Sequence, residues 1–185
     1  MKLITERLLL RQAALSDAPE MFAYRSNPAI HQFLSSVPNS ISECEQFIAN
    51  SVEELNVPGT WFQVVIVQQE TDTVIGDIGL HFIDSEPQQQ VEIGYTLSPD
   101  FHGQGIATEA VQEIIPYLFN HLQKHRVTAS VDPYNEPSIR LLERIGFRKE
   151  AHFKKSLLFK GEWLDDVIYA CLKEEWGIHD NAGDF

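Results

Sequence analysis

The sequence predicts one α+β domain whose central sheet is mixed but largely antiparallel, with about six to seven strands flanked by helices in the order β-α-α-β-β-β-α-β-α-β-β. Three observations carry this. Residues 61–97 are β-branched and aromatic runs cut by short polar turns, residues 106–122 hold a helical period over four turns, and strand and helix patterns then alternate to residue 172. The 185 residues are 43% hydrophobic and 22% charged, which suits a single core, since a chain of this size hides roughly 70% of its unfolded surface. The domain is expected over residues 1–174. The acidic stretch 175–185 contains Gly and Asn, has no period, and is expected to be a mobile tail.

The elements follow in order. LITERLLLR, Leu3 to Arg11, has the length of one strand, and Ser16-Asp17 look like the cap of a helix over about 17–26. Asn27-Pro28 breaks that helix, and Ser40-x-x-Glu43 is a capping-box signature for the next, expected over about 41–55. WFQVVIVQ, the turn Glu70 to Thr73 and VIGDIGLHFI read as a hairpin, and VEIGYTL as a third antiparallel strand. Gly76 and Gly79 inside the second of these strands each mark a bulge or a place of close packing.

The helix after FHGQG carries Ala107, Ala110, Val111, Ile114, Ile115, Leu118, Phe119 and Leu122 on one face, and Pro116 should kink it by deleting a backbone donor. VTASVD alternates as a strand. NEPSIRLLERIGF reads as a short helix with Pro137 in its first turn and Gly146 past its end, and a hairpin closes around Lys160-Gly161 before a last strand, Asp166 to Leu172.

Composition narrows the function. A net charge of −13 argues against a basic nucleic-acid-binding face. The first twenty residues hold Lys2, Glu6, Arg7 and Arg11 and no long apolar run occurs, so neither a signal peptide nor a membrane span is expected. Cys44 and Cys171 stand far apart without partners at metal spacing, which fits a reduced, cytoplasmic protein with no metal site rather than a disulfide scaffold.

His102-Gly103-Gln104-Gly105-Ile106-Ala107-Thr108 lies between a strand and the start of the strongest helix, where backbone N–H groups have no intrahelical partner. Such a loop attracts phosphate. The same two glycines would also serve a tight turn with positive φ. The segment matches neither the dinucleotide fingerprint, which needs a third glycine, nor the P-loop, which needs Gly-Lys-Ser/Thr.

HGQGIATEA, preceded by VEIGYTLSP and followed 28 residues after Ala107 by NEPSIRLLERIGF, closely resembles the GNAT acetyltransferases. With the opening TERLLLR, the chain is similar to the branch that contains the ribosomal-protein N-terminal acetyltransferases. The resemblance spans essentially the whole chain with its motifs in order. It implies a GNAT-like sheet and an acetyl-CoA co-substrate whose pyrophosphate is held by loop amides. The family's loop reads Gln or Arg, two residues, Gly, one residue, Gly or Ala; His102, Gly105 and Ala107 stand in those places, and His102 departs from the pattern. The resemblance further implies that the strand before the loop splays, so that backbone at Tyr95, Thr96 and Leu97 pairs with the pantetheine arm. It also implies that Asn135 touches that arm and that the Ser138 hydroxyl approaches the CoA sulfur as proton donor; Tyr134, adjacent in sequence, is the second donor candidate. By their residue types alone, Asn135 and Ser138 are equally ordinary helix caps.

Acetyl transfer needs a neutral amine and a proton for the departing thiolate. An α-amine, with a pKa of about 7.7–8.0, needs less help than a lysine at about 10.4. Glu92, mid-strand in VEIGY, is the base candidate; its plain alternative is a solvent-facing strand residue. Asp77 and His81 have suitable chemistry but read as surface or rim residues, and Cys171 as a core thiol. The leading expectation is an N-acetyltransferase for a protein N-terminal amine of ribosomal-protein type, acting by direct attack in a ternary complex. Two alternatives stand beside it: a small-molecule amine acetyltransferase, for a polyamine, aminoglycoside or amino acid, and a catalytically silent acetyl-CoA-binding module. A cationic acceptor suits the net charge, and the resemblance carries an expectation of a homodimer.

Overall fold

The computed structural model describes residues 1–34, 37–159 and 161–177. The strands are β1 (Lys2–Ile4), β2 (Leu8–Gln12), β3 (Thr60–Gln68), β4 (Thr73–Phe82), β5 (Gln90–Leu97), β6 (Arg126–Val131), β7 (Arg148–Phe159) and β8 (Glu162–Leu172). The helices are α1 (Ala18–Arg25), α2 (Ile41–Ala49), α3 (Ile106–Pro116) and α4 (Glu136–Arg144). All eight strands join one sheet in the order β1-β2-β3-β4-β5-β6-β8-β7, in which every neighbouring pair is antiparallel except β5 and β6.

The sheet has one strand more than expected, because the opening segment folds back on itself. Thr5 closes that turn, donating its N–H to the Leu8 carbonyl and accepting the Leu8 N–H on Oγ1. Two further differences are local. The second helix ends at Ala49 rather than near residue 55, since Val52 N–H leaves the helical ladder for the Trp61 carbonyl at 3.0 Å. Asp17 does not cap α1; its carboxylate turns back to the Ala14 N–H and to Arg11. Pro116 lacks an N–H, and the chain beyond it adopts a wider turn in which Leu122 N–H reaches the Tyr117 carbonyl.

Helices cover both faces of the sheet. One face of β3, through Phe62, Val64 and Ile66, packs with the apolar sides of α3 and α4, while Val65 and Val67 on the other face meet Met21, Tyr24, Cys44 and Ile48 of α1 and α2. Burial on both faces explains why β3 and β4 read as near-continuous apolar runs. The tail expectation needs correction at its start. Glu175 accepts the Leu172 N–H at 2.9 Å and pairs with Arg148, and the Trp176 ring lies 6.2 Å from Phe119, so residues 175 and 176 are held by the core. Residues 178–185, and Lys160 of the expected hairpin turn, lie outside the described residues.

Candidate active site

The parallel pair β5 and β6 is short. It runs from Gln90↔Arg126 through Val91↔Val127 to Glu92↔Thr128 and then the strands part. The Tyr95 side chain crosses the gap they leave, its hydroxyl 2.8 Å from Ser138 Oγ at the start of α4. A cavity of about 760 Å³ opens there, walled by Glu92 to Thr96 of β5, Ala129 to Val131 of β6, Asn135 and Ser138, and by residues of α1, α2 and the β7–β8 hairpin.

β5 leads from this gap into the glycine loop. The backbone bonding of the turn closes with His102 N–H to the Pro99 carbonyl and resumes with Glu109 N–H to the Gly105 carbonyl, so the first amides of α3 precede its hydrogen-bonded ladder. Gly103 and Gly105 sit at φ +74° and +76°, the left-handed region that glycine enters without strain, and Gly105 is the residue that starts the helix. A methyl at Gly103 would meet nothing within 4 Å, and one at Gly105 only Arg7, so the loop faces open space. Outward amides, a helix N-terminus and open space together fit a diphosphate. The His102 ring turns back, with Nε2 3.0 Å from the Leu97 carbonyl, and so braces the loop from within. Gln104 similarly spends its side-chain amide on the Asp100 carbonyl. Ile106 is buried beneath the loop, and Thr108 lies beside Gly105 in a shallow second depression.

An additional brace was not foreseen. Arg7 donates from Nη1 to the Gln104 carbonyl at 3.0 Å and from Nε to Glu109 Oε2 at 2.6 Å, while the Thr5 hydroxyl also donates to Glu109. The turn between β1 and β2 thus clasps the loop and the first turn of α3. Glu109's carboxylate falls below its usual range: burial alone would raise it, and the bonds from Thr5 and Arg7 outweigh that.

Register places the catalytic candidates in rows across the sheet. Trp61, His81 and Glu92 are direct cross-strand neighbours on β3, β4 and β5. The Trp61 and His81 rings stack at 4.7 Å, and His81 Nδ1, sealed from solvent without a hydrogen bond, lies 3.8 Å from Glu92 Oε2. Burial pushes the Glu92 carboxyl up, with His81 opposing in part. Glu92 therefore lines the cavity as a partly desolvated carboxyl rather than a solvent-facing residue. Across the gap, Asn135 Oδ1 accepts the Ser138 N–H and caps α4, and burial pushes the Tyr95 hydroxyl up to about 12, keeping it protonated at neutral pH. Tyr134 is 84% exposed and does not line the cavity, so the structure does not bring this second donor candidate to the site.

Asp77 is the main surprise. It is 1% exposed, and its two oxygens receive four donors: Tyr24 Oη at 2.8 Å and Arg25 Nε at 3.1 Å on Oδ1, Arg25 Nη2 at 2.7 Å and Gln63 Nε2 at 2.6 Å on Oδ2. It is an interior charge matched by Arg25, not the rim residue that its hydrophilicity suggested. One sequence signal was present: Asp77 and Gln63 are polar residues in the middle of runs otherwise too apolar for an alternating strand.

A splayed mixed sheet in which β5 feeds a glycine loop and helix, with a carboxyl and a hydroxyl lining one cavity at the gap, is an arrangement that suits acyl transfer from acetyl-CoA. The sequence matches the Acetyltransferase (GNAT) domain family over residues 7–148, and the chain belongs to that family. It is 37% identical over 175 residues to the Bacillus licheniformis protein called Uncharacterized N-acetyltransferase p20, covering 94% of this chain and 97% of that one. A GNAT-family acetyltransferase of Bacillus anthracis superposes with a TM-score of 0.84 at 28% identity, over 95% of this chain and all of its own. The Ribosomal-protein-S5-alanine Acetyltransferase of Vibrio fischeri superposes with a TM-score of 0.82 at 26% identity, over 95% and 98%. The protein is an acetyl-CoA-dependent N-acetyltransferase.

Proposed function

We propose that the chain acetylates a protein N-terminal α-amine of ribosomal-protein type, with Glu92 as base and Ser138 as proton donor. The observation that carries the reading is the half-buried Glu92 carboxyl beside His81, at the point where β5 and β6 part. An α-amine needs its proton removed from a group of pKa about 7.7–8.0, which a raised carboxyl or a water bound to it accomplishes; a lysine would ask for much more. The solved Vibrio fischeri relative named for ribosomal-protein-S5 alanine supports the acceptor class, and the same reading puts the protein in the cytoplasm.

The residues divide the work. Amides of Gly103 to Thr108 would hold the pyrophosphate, and the stretch Tyr95 to Leu97, paired with β4 but beyond the end of the β5–β6 ladder, would line the pantetheine arm with Asn135; the Leu97 carbonyl is already bound to His102. Acetyl-CoA, when bound, supplies an activated thioester carbonyl. Glu92 takes the proton from the attacking nitrogen. The Ser138 hydroxyl, held in place by Tyr95 Oη at 2.8 Å, gives a proton to the leaving sulfur, and both Ser138 and Glu92 return to their starting states by proton exchange with solvent after product leaves.

The test is a matched acceptor panel at saturating acetyl-CoA, with thiol release as readout: short peptides with free N-termini, spermidine and an aminoglycoside. Peptides should give the highest kcat/KM. Preference for spermidine or the aminoglycoside would overturn the acceptor assignment, and CoA binding without thiol release on any amine would mark a silent module.

A further inference from the structure

The Asp77 cluster does more than neutralise an interior charge. Tyr24, Arg25, Asp77 and Gln63 are each under a tenth exposed, yet Arg25, Gln63 and Asp77 all line the cavity. Asp77 can only accept, so it orients both neighbours. The Gln63 amide must point its nitrogen at Oδ2, which leaves Oε1 on the opposite side, over Gly79. Arg25 is gripped through Nε and Nη2 and backed by the Phe47 ring at 4.5 Å, which leaves Nη1.

Neither Arg25 Nη1 nor Gln63 Oε1 has a hydrogen-bond partner among the described residues. Among those residues, the sealed polar atoms without partners are His31 Nε2 and His81 Nδ1, so Arg25 Nη1 and Gln63 Oε1 are open to the cavity that both residues line. One donor and one acceptor, both rigid, therefore face the same space. Beside them the floor is open at one point: Gln63, Gly79 and Gly94 form one row across β3, β4 and β5, and while the Trp61 ring covers Gly79, a methyl on Gly94 would meet nothing within 4 Å. That row lies one two-residue step, about 7 Å, from the row holding Glu92.

We propose that Arg25 and Gln63, locked by Asp77, read the backbone of one acceptor residue: Arg25 Nη1 donates to that residue's carbonyl oxygen and Gln63 Oε1 accepts its N–H, two groups that share one edge of an extended chain, while the terminal amine reaches Glu92. This rests on the peptide-acceptor reading above and sharpens it. A polyamine has no carbonyl to offer Arg25, and because Arg25 and Asp77 cancel, the cluster adds no net charge to attract a second ammonium. The step of about 7 Å between rows matches about two residues of an extended chain.

The experiment compares kcat/KM for a trialanine amide, for two depsipeptide analogues in which the first or second peptide N–H is replaced by oxygen, and for an alkylamine of similar length. The expected result is a loss of about fivefold in one depsipeptide, the scale of one neutral hydrogen bond. In Gln63→Met the amide-to-ester ratio should collapse to about one, a pattern that a merely structural role for Gln63, lowering the amide and ester rates alike, would not produce. Equal rates for amide and both esters in the unaltered protein would overturn the inference while leaving peptide acetylation intact, and this arm decides even where Gln63→Met fails to fold. Turnover of the alkylamine with none of any peptide would instead refute the peptide-acceptor reading, and the inference with it.

Discussion

Asp77→Asn is the perturbation whose size the structure fixes best. The side chains of Asp77 and Arg25 are 2% and 9% exposed and meet at 2.7 Å. Asparagine keeps the shape, removes the charge, and turns an NH₂ toward an oxygen position that now receives two donors. With Oδ1 retained, Arg25 Nη2 and Gln63 Nε2 face that NH₂; with the amide flipped, Tyr24 Oη and Arg25 Nε do. Either way a buried guanidinium loses its counter-charge, and breaking such a pair costs about 3–5 kcal/mol. For a chain of this length that is a fall in Tm of about 6–20 °C. Tyr24→Phe removes one neutral donor from the same carboxylate and should cost only about 1 kcal/mol. Urea unfolding followed by tryptophan fluorescence gives both values on one scale. A loss below 1 kcal/mol for Asp77→Asn, or the same loss for both variants, would refute the argument that Asp77 is the counter-charge of a largely buried cluster.

Other outcomes follow from the site. With Glu92 as the proposed base, the raised pKa of its carboxyl predicts that kcat/KM climbs as pH rises through a value above the ordinary 4.3 or so; Glu92→Gln should lower kcat, leave KM for acetyl-CoA nearly unchanged and abolish that limb of the pH profile. Gly105→Val places a β-branched residue at φ +76° and should weaken CoA binding by calorimetry, an unaltered affinity removing the loop from the site. Acetyl-CoA at 100 times its Kd should raise Tm by about 5–10 °C, from about 2.7 kcal/mol of linkage, whereas NAD should leave it unmoved. Cys44 and Cys171 are 1% and 0% exposed, with burial pushing the Cys171 thiol up to about 11, so neither should react with a thiol reagent at pH 8 until urea unfolds the chain.

What the sequence made legible is local. The hairpins, the period of α3, the two glycines before it and the Asn135–Ser138 cap are each set by residues within a few positions of one another, so pattern alone reveals them. Gly76 and Gly79 were legible for the same reason: an added Cβ would lie 2.5 Å from the Thr96 carbonyl oxygen at the first and 3.0 Å from the Trp61 ring at the second. The Asp77 cluster was not legible, because its partners lie 14, 52 and 53 residues away and only the docking of α1 on β4 brings them together. Tyr95 shows the same limit. Its backbone was expected at the gap between β5 and β6, but its side chain reaches Ser138 across 43 residues of sequence, a contact set by how far those strands part.

The clasp on the glycine loop has a consequence in time. Its arms, Thr5 and Arg7, stand 97 to 104 residues before the groups they hold. At a synthesis rate of about 5–20 residues per second, they leave the ribosome roughly 5–20 s before the loop exists. β6 and β8, which complete the sheet beside it, come later still. No N-terminal fragment that ends before Glu109 can therefore close this clasp, and a contact that spans so much chain is of the kind that slows folding.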